Sequence, residues 1–242
     1  MTSLSKHLPL SKLLPIAKHL ETLQRLAALP AAHLVFERAM EPGSVPATYR
    51  YYTKPHPTYK IIEHKRWGAA LIDLQQFETL EHYLEHIKGR NGGAWHARRA
   101  RTRGYTLAEI DRNAFVDAIH DINTASEQRQ GRAMDAAYTD KRTAYEQLSN
   151  FNYLGVLDAN GKLMAYADLG HYGNFSAFSR LIGYRNNDGV MHMLVVDVVT
   201  RLLREKKVRY LMYDTFFGAL PGLQQFKTIL GFTPYRATYS LQ

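Results

Sequence analysis

Apolar residues recur at helical spacing from Ser11 to Leu29, at Leu13, Leu14, Ala17, Leu20, Leu23, Leu26 and Ala27, which predicts an amphipathic helix. Between Pro42 and Pro57 four prolines stand among tyrosines, and the segment reads as a linker without regular structure. Tyr59–Leu74 has strand character through Ile61, Ile62, Trp67, Leu71 and Ile72, with Gly68 marking a turn or bulge inside it. Helical spacing returns over Phe77–Ile87 and over Asp111–Ser126, where Phe115, Ile119 and Ile122 share a face.

The pattern changes at Phe151. Phe151–Leu157 and Lys162–Tyr172 read as strands joined by Asp158-Ala159-Asn160-Gly161, a turn rich in residues that tolerate positive φ. A third strand, Phe175–Tyr184, follows the Gly173-Asn174 turn. Asn187-Asp188-Gly189 then opens a helix through Val190, Met193, Leu194, Val198, Leu202 and Leu203. Val208–Tyr213 is a short buried strand, Gly222–Leu230 a helix stopped by Gly231, and Phe232–Leu241 a last strand. The order β-β-β-α-β-α-β implies a mixed, mostly antiparallel sheet of the α/β (α+β) class, with its crossover helix on one face. In such sheets a ligand site forms where neighbouring strands diverge beside a helix N-terminus.

Composition narrows the class of protein. The 242 residues are 45% apolar and 22% charged, enough to bury a core and unlike a disordered chain. No apolar run approaches the roughly 20 residues of a membrane span. Met1–Leu20 mixes Lys6, His7, Lys12, Lys18 and His19 into its apolar positions, unlike a secretory signal. With no cysteine, disulfides, thiolate metal ligands and a cysteine nucleophile are excluded, and a cytoplasmic setting is expected. His82 and His86 fall at i, i+4 without the glutamate of a zinc hydrolase, so no metal site is expected; His171 and His192 stand isolated as candidate bases.

Net charge is +9, with a pI near 9.6, which favours phosphate-rich partners. Lys88, Arg90, Arg98, Arg99, Arg101 and Arg103 form a run with no acidic residue among them. The run is either a solvated helix face or a nucleic-acid contact.

The strand order and the ending Gly222-Leu223-Gln224-Gln225-Phe226-Lys227, then Leu230-Gly231-Phe232-Thr233-Pro234-Tyr235, resemble the close of the GNAT (Gcn5-related N-acetyltransferase) fold. The resemblance covers about ninety residues well. It implies a GNAT-like domain over 58–242, clearest over 151–242, preceded by a helical extension and linker over 1–57. Acetyl-CoA-dependent members carry a glycine-rich loop whose backbone N–H groups hold the pyrophosphate. Here that position reads Arg185-Asn186-Asn187-Asp188-Gly189-Val190, with one glycine and an added acid. This altered loop is similar to those of the Fem-type branch, the aminoacyl-tRNA-dependent transferases. Phe226-Lys227 resembles the Phe-Lys pair of that branch, whose lysine contacts the donor. Arg98-Arg99-Ala100-Arg101-Thr102-Arg103-Gly104-Tyr105 resembles its basic upstream segment.

The resemblance implies an acyltransferase forming an amide, with no tightly bound cofactor. The co-substrate is aminoacyl-tRNA or, as the alternative, an acyl-CoA thioester, and the second substrate an amine acceptor. An inactive GNAT-like module binding RNA or protein is the third reading. Asp214, at the end of the buried strand, is a candidate proton acceptor or an ordinary turn aspartate. Tyr213 is a candidate proton donor or a core tyrosine, and Lys227 an oxyanion-stabilising charge or a solvated helix lysine. Donor binding is expected at Asn187, Asp188, Gly189 and Phe226, and at Arg129 and Arg132, whose forked side chains suit phosphate or carboxylate. The basic run Lys88–Arg103 is the expected tRNA contact.

Overall fold

The structure, a computed structural model, describes residues 26–57, 60, 62–89, 91–126, 128–129 and 132–242. Its strands in chain order are β1 (Ala31–Phe36), β2 (Trp67–Asp73), β3 (Thr106–Glu109), β4 (Gln128–Arg129), β5 (Arg132–Ala133), β6 (Phe151–Leu157), β7 (Leu163–His171), β8 (Phe175–Gly183), β9 (Tyr210–Thr215) and β10 (Thr233–Leu241). Its helices are α1 (Ser44–Thr53), α2 (Leu80–His86), α3 (Gly93–Thr102), α4 (Val116–Thr124), α5 (Ala136–Thr139), α6 (Val190–Glu205) and α7 (Pro221–Ile229). Eight strands form one sheet in the order β1-β10-β2-β9-β8-β7-β6-β3, and β4 and β5 form a separate hairpin. The pairs β1–β10 and β8–β9 are parallel, and the other pairs of the large sheet antiparallel.

From Phe151 onward the expected order is observed, and its causes are local. The Asp158 carboxylate accepts from the Asn160 and Lys162 N–H groups, each at 2.9 Å, and Gly161 takes φ +79°, closing the β6–β7 hairpin. Helix α7 begins with Pro221, whose missing N–H is harmless in a first turn, and Gly231 follows it at φ +90°.

Helix α6 buries Met193, Leu194, Val195, Val198 and Leu202 against β2, β6, β7 and β8, with α2 and α3 packed on the same face. Each such side chain stabilises the fold by about 1.5–3 kcal/mol. The opposite face carries two separate clusters. One holds α1 through Val45 and Tyr52, against Phe36, Phe175 and Met212; the other holds α4 through Ile119 and Ile122, against Tyr153, Tyr166 and Ile182.

Three expectations are corrected. The segment Pro42–Pro57 is not an irregular linker: residues 44–53 form α1, with Pro46 in the first turn, where proline is tolerated, and Val45 and Tyr52 buried. Residues 31–36, expected within the extension, form a strand of the main sheet beside β10. The strand expected over Tyr59–Leu74 begins only at Trp67; Gly68, at φ +74°, precedes a register shift against β9 between Ala69 and Leu71. The helix expected over Ser11–Leu29 lies almost wholly outside the described residues.

Strands β8 and β9 place the main cleft of the fold. They pair only where Phe175–Ala177 meets Tyr210–Met212, and the register ends there. Beyond it the two strands diverge, and the cleft opens between the α1 and α4 clusters.

Candidate active site

The cleft encloses about 810 Å³, within the range of small-molecule sites. One wall is α1, through Ser44, Thr48, Tyr51 and Tyr52; the floor is the diverging ends of β8 and β9, with Arg180, Tyr213 and Asp214.

Asp214 sits near the end of β9 with φ +53°, a left-handed conformation that a non-glycine residue adopts at a cost of order 1–3 kcal/mol. The turn aims its carboxylate at Lys65, and the two form an ion pair on the cleft wall. Lys65 is itself held in place: its N–H donates to the Tyr52 carbonyl at 3.1 Å, and its own carbonyl accepts from the Tyr239 hydroxyl at 2.7 Å. Burial alone would raise the Asp214 pKa. The charge and hydrogen bond of Lys65, the charge of Lys227 and the Thr215 N–H outweigh burial, and the pKa falls below the ordinary aspartate value.

Lys227 lies under this pair. It is 1% exposed and donates from Nζ to the Thr215 carbonyl at 2.7 Å, with Nζ 4.6 Å from the centre of the Tyr213 ring. Burial, with a smaller push from the charge of Lys65, lowers its pKa to about 8 against the pull of Asp214. The expected catalytic trio therefore meets at one splay, but in unequal roles. Asp214, Tyr213 and the largely buried Lys65 line the cleft, with Asp214 the exposed member of the ion pair, whereas Lys227 supports them from beneath.

A second polar group lies further along the floor. Arg112, in the turn before α4, donates from Nη1 to Asp168 of β7 at 2.9 Å, and also to the Glu146 carbonyl. Its guanidinium stacks 3.7 Å from the Tyr153 ring centre. Arg180 of β8 stands on the other side of Asp168, with Nε 3.8 Å from the same carboxylate oxygen. Sequence reasoning missed Lys65, Arg112, Asp168 and Arg180. For two of them a signal existed: Asp168 and Arg180 are lone charges inside otherwise apolar strands, the mark of a paired or functional group.

On the other face, half-buried rings lead to the splay. Trp95, exposed on α3, touches His96; His96 stacks on His192 at 4.2 Å; His192 meets Phe226 at 4.8 Å; and Phe226 meets Tyr213 at 6.4 Å. Burial, aided by His96, lowers the His192 pKa to about 4, so its ring is neutral at physiological pH.

The loop at the start of α6 is covered by α3. Gly189 takes φ +86° with the His96 carbonyl packed so closely that any side chain there would overlap it. Asp188 is ion-paired with Arg103 and accepts from the Tyr105 hydroxyl at 2.8 Å, while Asn187 is exposed. The basic run is accordingly less one-sided than its sequence: Arg103 pairs with Asp188, Arg101 with Asp197, and Lys88 with Glu85. Arg98 is exposed, and Arg99 lies 5.5 Å from the Trp95 ring centre. Arg90 and the side chains of Arg129 and Arg132 lie outside the described residues. No described helix is long and apolar enough to cross a membrane.

No protein-family model and no curated protein sequence matches the chain. Solved structures do. FemX superposes with a TM-score of 0.53 at 11% identity, over 69% of this chain and 59% of its own. L-PGS from Bacillus licheniformis matches with a TM-score of 0.45 at 13% identity, over 71% of this chain and 61% of its own. A tandem GNAT protein from the clavulanic acid biosynthesis pathway matches with a TM-score of 0.41 at 14% identity, over 81% and 55%. The chain thus spans about three fifths of the FemX length. Its fold is the GNAT-like fold that FemX shares.

Proposed function

We propose that the protein transfers an aminoacyl group from aminoacyl-tRNA to an amine acceptor. The observation that carries this reading is the splay of β8 and β9, which sets the Lys65–Asp214 pair between two approaches, the cleft on one face and the ring-lined surface on the other. The acceptor amine enters through the cleft. As its nitrogen bonds to the ester carbonyl it becomes strongly acidic, and the Asp214 carboxylate takes its proton even with a lowered pKa. Lys65 has further N–H donors beyond the one given to Asp214, and these face the developing oxyanion. The carbon–oxygen bond to the ribose then breaks, and the departing oxygen is protonated through water. Lys227 positions Thr215 and holds Asp214 ionised.

The donor-side geometry favours RNA over a CoA thioester. The N-terminal loop of α6 carries Asp188 and is packed against α3, which suits a diphosphate poorly. Trp95, Arg98 and Arg99 on the exposed face of α3 offer stacking and phosphate contacts, and Phe226 ends the row of rings beside Tyr213.

The test is transfer of a labelled amino acid from charged tRNA to a mixed-amine acceptor pool, with and without ribonuclease. Transfer abolished by ribonuclease supports the reading. Transfer from acetyl-CoA instead, or thermal stabilisation by CoA thioesters and none by tRNA, overturns it.

A further inference from the structure

Among the described residues, the cleft floor and the layer just beneath it carry more positive charge than their acids neutralise. Lys65 and Arg180 on the cleft, with Arg112 and Lys227 behind them, surround two carboxylates, Asp214 on the cleft and Asp168 behind it. A third acid, Asp135, stands at the rim and uses its carboxylate to cap α5 through the Ala137 N–H at 3.0 Å. Unpartnered buried atoms gather around Asp168, at Arg112 Nε, Asp168 Oδ1 and Arg180 Nη1, while the Tyr166 hydroxyl also engages the Arg180 guanidinium. Asp168 accepts its well-formed hydrogen bond from Arg112 at 2.9 Å, and Arg180 stands at 3.8 Å, beyond hydrogen-bond reach of that oxygen. The Nη1 group of Arg180 is buried and has no acceptor among the described residues, an arrangement that folded proteins ordinarily avoid for a charged group. Tyr138 lies under the guanidinium at 5.1 Å and fixes its plane, and Ser179 and Arg180 both form part of the cleft surface.

We infer that Arg180 is the anchor of an oxyanion subsite in the acceptor half of the cleft. The acceptor amine carries a carboxylate or phosphate that pairs with this guanidinium while its nitrogen lies at Asp214. The planar fork of arginine matches both oxyanions, and a desolvated floor strengthens the pairing. Arg180 lies three residues past the last β8 residue paired with β9, and Asp214 two past the last β9 residue paired with β8, on diverging strands. The acceptor therefore holds its amine and its oxyanion several bonds apart, as a dipeptide or a lysine side chain does. This assignment of substrate class rests on the transfer reaction proposed above; the oxyanion site itself does not.

The experiment uses the full chain without any donor. Glutarate, inorganic phosphate and the neutral isostere glutaramide are titrated calorimetrically into the wild type, Arg180→Gln and Arg180→Lys. The expected result is saturable binding of glutarate or phosphate, glutaramide at least tenfold weaker, and a loss of tenfold or more in Arg180→Gln that Arg180→Lys partly restores. The tighter of the two anions names the oxyanion. Equal binding of glutarate and glutaramide, no saturable anion binding by the wild type, or undiminished binding by Arg180→Gln overturns the subsite. The wild-type comparison of acid with amide stands even if a variant folds poorly. A transfer assay separates the two ideas. Equal transfer to a dipeptide and to its methyl ester removes the subsite and spares the donor reading. Anion binding without any transfer from charged tRNA does the reverse.

Discussion

The Nζ of Lys227 lies 2.7 Å from the carbonyl of Thr215, one residue beyond Asp214, and this bond ties helix α7 to the end of β9 from below. It also makes the fold sensitive to alkaline pH in a defined sense. Lys227 titrates at 10.5 in its ordinary state and at about 8 in the fold. Below about pH 8 it is protonated in both folded and unfolded chains and contributes no slope. Between about 8 and 10.5 only the unfolded chain keeps the proton, so this contribution to stability rises with pH. Over the full window it amounts to roughly 3 kcal/mol. Lys227→Met should remove it, and urea unfolding of both proteins at pH 7.5 and pH 10 measures the difference. Identical pH slopes for wild type and variant would refute the buried, depressed lysine.

The α3 surface divides its arginines into two groups. Arg98 and Arg99 stand beside Trp95, whereas Arg101 and Arg103 are engaged with Asp197 and Asp188. Replacing Arg98 and Arg99 by glutamine should reduce the salt slope of tRNA binding by about 1.4–1.8, the loss of two phosphate contacts. Replacing Arg101 and Arg103 should change it less. Trp95→Ala should weaken binding roughly 5- to 150-fold, as the loss of one stacked base does. A filter-binding series at several salt concentrations reads all three, and equal slopes throughout would make α3 a solvated face.

Arg112 and Asp168 form a pair with side chains 10% and 6% exposed, stacked on Tyr153. Removing one member leaves the other charged and buried, so Arg112→Met should cost about 3–5 kcal/mol in denaturant unfolding. A loss below 1 kcal/mol would show that Arg180 takes over the carboxylate, and would weaken the case for its unpartnered Nη1 group.

Much of this was legible in the chain, and the exceptions share a cause. The strands from Phe151 onward announce themselves by apolar runs and by turns such as Asp158–Gly161, whose side-chain hydrogen bonds are local. Asp214, Tyr213 and Lys227 could be placed together because the last strands and α7 follow one another closely in the chain. Lys65 could not, because its meeting with Asp214 spans 149 residues and depends on α1. That helix was hidden by its prolines, although Pro46 occupies a turn that tolerates it. The basic run was read as unneutralised for the same reason: its partners Asp188 and Asp197 come from α6, far along the sequence. Arg180 is the single charge of the apolar strand β8, and that isolation is the signal it carries in the sequence.

Asp214 is the centre of the proposed chemistry, and its backbone makes the decisive variant a clean one. Asparagine tolerates the left-handed φ of +53° nearly as well as any residue other than glycine, so Asp214→Asn removes the charge and keeps the turn. Transfer from charged tRNA by the purified variant should fall by about 10²- to 10⁴-fold, the usual worth of a positioned general base, while the protein stays folded with a lowered melting temperature because Lys65 and Lys227 lose their counter-charge. Undiminished transfer by a folded Asp214→Asn protein would contradict the central claim.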